Sequence, residues 1–139
     1  MSGESTMRGN VVKWLRLDRQ DPISVENPVY PGTPDVNYKG GWIELKRRVN
    51  FSRSPGHADR IVTCSHFTKE QKVWLFRRWR AGGRAHLLWQ IGTEWFLFDG
   101  VTAHEVVGSC TEQVLRERAL VVWKGNAAVK EELTQWLYA

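Results

Sequence analysis

Thr68-Lys-Glu-Gln71 is a capping box, in which the Thr68 hydroxyl can accept the Gln71 amide hydrogen while the Gln71 side chain reaches back to the Thr68 amide. A helix begun there runs through Trp79 or Arg80 and is closed by Gly82-Gly83. This helix constrains the fold because strands bracket it. Trp42 to Arg48 reads as a strand before it, and Ala85 to Ile91 and Glu94 to Phe98 read as two strands after it, joined at Gly92-Thr93. Upstream, Lys39-Gly-Gly41 separates a short strand, Asp35 to Tyr38, from Trp42 to Arg48, and the glycine pair is expected to supply the positive φ angles of a two-residue hairpin. Glu4 to about Asp18 reads as a first helix with Val11, Val12, Leu15 and Trp14 as its apolar stripe. Asp21-Pro22 is expected to stop it. Three prolines and a glycine between Asn27 and Pro34 predict an irregular approach to Asp35, and Asn50 to Ser65 a mobile polar loop. The tail predicts a helix near Thr111 to Arg118, a short strand at Leu120 to Trp123 and a helix from about Ala127 to Leu137. Helices alternating with strands in this order specify a single α/β domain with a mixed central β-sheet flanked by helices.

The chain has 139 residues, 42% hydrophobic and 25% charged, enough to bury a core and too apolar for wholesale disorder. No apolar run approaches the ~18 residues that span a bilayer, and no signal-peptide pattern is seen, so no membrane partner is expected. Cys64 and Cys110 stand alone, without a CxxC pair, which argues against a disulfide scaffold or a zinc module and for a reduced, cytoplasmic setting. The formal charge of +5 is uneven: from Lys39 to Arg84 there are twelve basic residues and three acids, a net +9, leaving −4 for the remainder. A basic middle between acidic flanks points to a polyanion, although an arginine-rich solvated helix has the same composition.

Within that stretch, Trp42, Glu44 and Lys46 share one strand face by period 2, and Ile43 and Leu45 share the other. Asp35 lies on the neighbouring strand. Two carboxylates on adjacent strands can hold a hard divalent cation such as Mg2+ or Mn2+, with the main-chain oxygen of Leu45 as a third ligand. A cation there could polarise a scissile phosphate and acidify a water. Lys46 could orient that water or stabilise charge in the transition state. The alternative is a turn aspartate beside a surface Glu44–Lys46 pair.

These segments resemble the PD-(D/E)xK nucleases, and within them the virus-type replication-repair nuclease (VRR-NUC) domain and related phage and archaeal Holliday-junction resolvases. The likeness lies in Tyr30-Pro-Gly-Thr-Pro-Asp35, Gly41-Trp-Ile-Glu-Leu-Lys46, and Phe67-Thr-Lys-Glu-Gln71-Lys-Val-Trp74 running into Arg80-Ala-Gly-Gly83. It spans about residues 30–98, a catalytic core, with 99–139 as a C-terminal helical extension of one nuclease domain. The resemblance implies a restriction-endonuclease-like core and Mg2+- or Mn2+-dependent endonucleolytic hydrolysis of DNA phosphodiesters, structure-selective on branched DNA such as a Holliday junction. By matching position, Asp35 and Glu44 become metal ligands, Lys46 the catalytic lysine and Gln71 a supporting residue. Many members add a glutamate from the first helix; Glu4 is the first candidate and Glu26 the second. The resemblance also implies a phage or mobile-element origin and a homodimer cutting opposite strands.

Arg47, Arg48, Lys69, Lys72, Arg77, Arg78, Arg80 and Arg84 are candidates for contacts to the DNA backbone, which carry affinity but little sequence information. His57 and His66 flank the polar loop, where a histidine is more often merely solvated, and His86 and His104 read as structural. Trp74, Trp79, Trp89 and Trp95 read mainly as core, with an exposed one able to stack on an unpaired base or line a dimer. Two other readings of the same residues remain: a non-catalytic DNA-binding or assembly protein that keeps the fold, and a nuclease directed at RNA.

Overall fold

The computed structural model describes residues 3–139. Helix α1 (Gly3–Leu17) buries Met7, Val11, Trp14 and Leu15, one stripe at helical spacing. It ends earlier than the proline would require, and by a different device. The Gln20 N–H bonds the Leu15 carbonyl at 2.9 Å, the Arg19 N–H bonds Arg16 at 3.0 Å, and Arg19 is left-handed at φ 59°. That is a Schellman cap with arginine where glycine is usual, so no glycine marked the helix end in the sequence.

A six-stranded sheet follows in spatial order β1 (Ile23–Ser24), β2 (Val36–Tyr38), β3 (Gly41–Arg48), β4 (Arg84–Ile91), β5 (Glu94–Asp99), β6 (Val121–Lys124). All neighbours are antiparallel except β3 and β4, which run parallel from Gly41↔Arg84 to Arg48↔Ile91. A parallel pair needs a crossover, and α2 (Lys69–Arg80) supplies it, with the capping box formed at Thr68 and Gln71. The domain is thus mixed α/β, as expected, with its sheet flanked by five helices.

The β2–β3 hairpin forms at Lys39-Gly40, but neither Gly40 nor Gly41 takes a positive φ. Space, not conformation, is what glycine provides here. A Cβ on Gly40 would lie 2.5 Å from the Tyr138 ring, and one on Gly41 would lie 2.3 Å from the Arg84 carbonyl oxygen. Two elements were not expected from the sequence, β1 and α3 (Gly100–Val106). The last residue of β5, Asp99, is itself the N-cap of α3, accepting from the Thr102 N–H at 2.8 Å, so no turn separates them. α4 (Glu112–Arg118), β6 and α5 (Asn126–Leu137) complete the chain.

Two cores lie on the two faces of the sheet. On one, α1 and α5 cover Val36, Tyr38, Ile43, Leu45, Leu88, Trp95 and Leu97. On the other, α2, α3 and α4 cover Leu87, Trp89, Ile91, Phe96 and Phe98. Segment 99–139 is therefore integral: β6 extends the sheet and α5 shares a core with α1. The loop over 50–65, expected to be mobile, is tied down. Phe51 and Val62 are buried, Val62 N–H bonds Cys110 at 2.8 Å, Arg53 pairs with Glu112 at 3.0 Å, and His57–Asp59 forms a 3-10 turn. No described helix is long and apolar enough to cross a membrane.

Two substitutions test this packing by urea or thermal denaturation. Arg19→Gly should stabilise the protein by about 0.5–1 kcal/mol, because glycine occupies the left-handed cap without a steric penalty. Gly100→Ala should destabilise it by about 1–3 kcal/mol, since the new Cβ would meet the Leu75 carbonyl oxygen at 2.3 Å, where α2 and α3 touch.

Candidate active site

The ladder between β2 and β3 is short. It covers Val36↔Ile43, Asn37↔Trp42 and Tyr38↔Gly41, so β3 runs on from Glu44 without a partner on that edge. Asp35 ends the ladder. Its carboxylate Oδ2 accepts the Leu45 N–H at 2.8 Å, taking the place of the missing strand, and its own carbonyl accepts from the Val25 N–H at 2.8 Å. Pro34, buried and lacking an N–H, cannot continue the strand. The N–H and C=O of one strand residue face the same edge, so the Leu45 carbonyl opens beside Asp35.

Glu44 and Lys46 point to the opposite face of the sheet from Ile43 and Leu45, under α2, and are 1% and 6% exposed. Such burial is unusual for either residue type. Glu44 Oε2 lies 3.4 Å from Lys46 Nζ, and Glu44 Oε1 is buried without a partner. Asp35 is the carboxylate neighbour that acts on Glu44. Burial, then the Asp35 charge, pushes the Glu44 carboxyl up to about 9 against the opposing pull of Lys46.

Lys46 is held from a second side. Its ammonium donates to the His66 carbonyl oxygen at 2.9 Å. His66 has an exposed side chain and a left-handed backbone at φ 62°, a conformation that costs a non-glycine residue about 1–2 kcal/mol. Its contribution to this cluster is thus a main-chain carbonyl rather than an imidazole, which no reading of side-chain types could find. Cys64 also lies among these charges, where burial pushes its thiol up to about 12 despite Lys46, Lys72 and Arg48, so it stays a protonated, apolar neighbour.

The first turn of α2 comes against the segment that leads to Asp35. Gly32, left-handed at φ 87°, lets the chain cross there: a Cβ would sit 2.4 Å from the Glu70 carbonyl oxygen and 2.8 Å from the Gln71 nitrogen. Gln71 Oε1 is committed to the cap, accepting the Thr68 N–H at 3.0 Å, so only its amide nitrogen is left to act as a support.

The expected metal set is gathered in part. Asp35, Glu44 and the Leu45 carbonyl come together, but Glu4 is exposed on the first turn of α1 and Glu26 is exposed ahead of Asp35. Among the described residues no group of three His, Cys, Asp or Glu side chains is placed to hold a metal ion, so neither glutamate completes the pair. The chemistry of the pair itself fits a divalent cation. It offers carboxylate and carbonyl oxygens, one of them a buried orphan, where burial and the Asp35 charge oppose ionisation of Glu44.

The basic residues divide. Arg77, Arg78 and Arg80 are exposed in the last turn of α2, Arg84 is exposed at the start of β4, and Lys69 is exposed at the start of α2. Lys72 is half-buried, its ammonium over the Phe67 ring. Arg47 alternates to the other face of the sheet, where its guanidinium leaves room for no side chain at Gly3 of α1. Arg48 is spent on the loop, donating to the Asn50 and Thr63 carbonyls at 2.9 and 3.0 Å. His86 is buried, pushed down to about 4 chiefly by that burial, and meets Trp79 edge-on; His104 stacks on Phe76, and His57 Nδ1 pairs with the Ser54 carbonyl. Trp89 and Trp95 are fully buried, whereas Trp42 and Trp74 are half-buried and in contact with each other.

Because the Glu44 carboxyl titrates higher in the folded protein than its ordinary value of 4.5, the folded state binds the extra proton between those two values. The associated stability is complete below pH ~4.5 and is lost as pH rises toward 9. In the absence of divalent ions the melting temperature should therefore fall from pH 5 to pH 9. Glu44→Gln should flatten that slope and melt roughly 3–10 °C higher at pH 8, a gain of about 1–3 kcal/mol. A wild-type melting temperature independent of pH over this range would reject the assignment.

Compared with protein-family models and with curated proteins, the chain matches none.

Proposed function

We propose that this protein is a divalent-cation-dependent DNA endonuclease with a restriction-endonuclease-like core, hydrolysing phosphodiester bonds in branched or otherwise structured DNA. The observation that carries the reading is the buried Glu44 and Lys46 beside half-buried Asp35, at the point where β2 stops and the β3 edge opens. A stability role alone is a poor account of it. A carboxyl and an ammonium buried together cost more in desolvation than apolar residues of the same volume, and Glu44 Oε1 gains no hydrogen bond in return. Binding a cation at those oxygens accounts for the cost.

The chemistry that a bound divalent cation supplies is charge neutralisation at the scissile phosphate and a lowered pKa for a water beside it. Asp35 and Glu44 would hold it through the oxygen atoms not engaged by the Leu45 N–H and by Lys46, together with the Leu45 carbonyl. Lys46 keeps one of its three ammonium hydrogens after Glu44 and the His66 carbonyl take two. That hydrogen can orient the attacking water or meet the developing charge on the phosphate oxygens. Gln71, through its amide nitrogen, is the candidate to steady the same phosphate. Arg77, Arg78, Arg80 and Arg84 would bind the flanking backbone as sequence-independent charge, which suits selection by DNA shape.

The decisive measurement is a cleavage panel of four-way junction, flap, splayed, linear and RNA substrates with Mg2+, Mn2+ or EDTA. Cleavage of branched DNA that requires the ion is the expected result. Asp35→Ala, Glu44→Gln and Lys46→Ala should each reduce the rate at least ~100-fold while leaving junction affinity within about threefold. Full activity in Glu44→Gln sinks the site assignment. Binding to junctions without cleavage by either ion leaves a DNA-binding module as the function.

A further inference from the structure

We infer that Trp42, Trp74 and Arg78 form a stacking site for an unpaired nucleobase, so that the strand reaching the active site is single-stranded there. This rests on the nucleic-acid reading of the same face and adds what part of the nucleic acid is grasped.

Trp42 precedes Glu44 by two residues, so it lies on the same sheet face and roughly 7 Å along the strand, a span that a nucleotide bridges from phosphate to base. Its ring meets Trp74 of α2 at 5.3 Å between centroids and 66° between planes. The Arg78 guanidinium sits 4.6 Å over the Trp74 ring and 6.0 Å from that of Trp42. A glycine makes room for Arg78 there: a Cβ on Gly83 would come within 2.7 Å of Arg78 Cδ, so the stem of the arginine passes over the Gly83 backbone.

The cluster is open on several sides. Trp74, Arg77, Arg78 and Arg80 line a groove of about 530 Å³ with Phe76. Trp74 and Arg77 line a second of about 330 Å³, with Pro31, Lys69 and Val73, on the side of the loop that leads to Asp35. Trp42 and Arg78 line a third of about 340 Å³, shared with Lys39 and Arg84. Glu70 and Asp21 are the only acids among these linings.

Phosphate binding alone would need the cations and not two half-buried indoles. Aromatic faces and a planar guanidinium are the groups on which bases stack, and cations beside them hold the backbone of the same strand. Bases inside a duplex are already stacked on each other, so the ligand this chemistry fits is an unpaired strand.

The test is an equilibrium titration of the full-length protein, in EDTA so that nothing is cut, with fluorescently labelled oligothymidylate and with an abasic phosphodiester strand of equal length. The two carry the same charge and differ only in having bases. The wild-type protein should bind oligothymidylate about 5- to 100-fold more tightly, the range that stacking of one base supplies. Trp74→Leu should bring that ratio close to one with abasic affinity unchanged, whereas Arg78→Ala, which removes an exposed side chain and leaves both cores intact, should lower both affinities and the ratio. Equal wild-type affinity for the two strands overturns the inference, as does an undiminished ratio in Arg78→Ala. Failure to bind either strand also overturns it, with the nuclease reading still decided by cleavage of branched DNA, while a clear preference in a protein that cleaves nothing upholds the base site and removes only the nuclease.

Discussion

The parallel pairing of β3 with β4 is the constraint on which the rest of the structure depends. It runs the full eight residues of each strand, while β3 shares only three pairs with β2. Parallel strands cannot be joined by a tight turn, so the chain must leave the sheet, cover one face with α2 and return. That return buries the face carrying Trp42, Glu44 and Lys46. The shortness of β2 leaves the other edge of β3 open where Asp35 caps it. The candidate site is the intersection of these two facts, a covered face meeting an unpaired edge.

Several local strains converge on that intersection. Glu44 and Lys46 are buried and Glu44 Oε1 has no partner, His66 is held left-handed to present its carbonyl, and Gly32 is required for the approach to α2. None of these improves stability, and each is affordable because two apolar cores lie on either side of the sheet. Strain gathered at one point and supported by regular packing elsewhere is how proteins hold reactive groups in place.

The positive charge also separates into roles once it is folded. Arg116, outside the basic stretch, bonds Glu94 at 2.7 and 2.9 Å and Glu112 at 2.8 Å, and sits over Phe51 and Phe96, a structural node for α4 and the loop after β3. Arg48 and Arg53 serve the same loop. Among the described residues, the exposed arginines of the basic stretch without an ion pair or hydrogen bond are Arg47, those at the end of α2, and Arg84. Net charge identified the region and could not divide it.

Regular elements were legible in the sequence wherever their ends carried local chemistry. The capping box at Thr68, the Gly92-Thr93 turn and the alternation of Trp42 to Lys46 each depend on residues a few positions apart, and α2, the β4–β5 hairpin and β3 formed where they indicated. α3 was not legible because Asp99 serves two elements at once, and the end of α1, expected near Asp18, falls at Leu17 by a cap that was not legible because Arg19 occupies a position where glycine is usual. The juxtaposition of Asp35 with Glu44 and Lys46 was legible as well, since a hairpin brings its own two strands together whatever the rest of the chain does. What lies across the fold was decided only in three dimensions: the His66 carbonyl on Lys46, Arg78 over Trp74 and Trp42, the diversion of Arg48 to structural work, and the separation of Glu4 from the carboxylate pair. Hairpin and helix contacts follow from local geometry, whereas contacts between distant segments depend on which faces the crossover covers, and no short stretch of sequence contains that information.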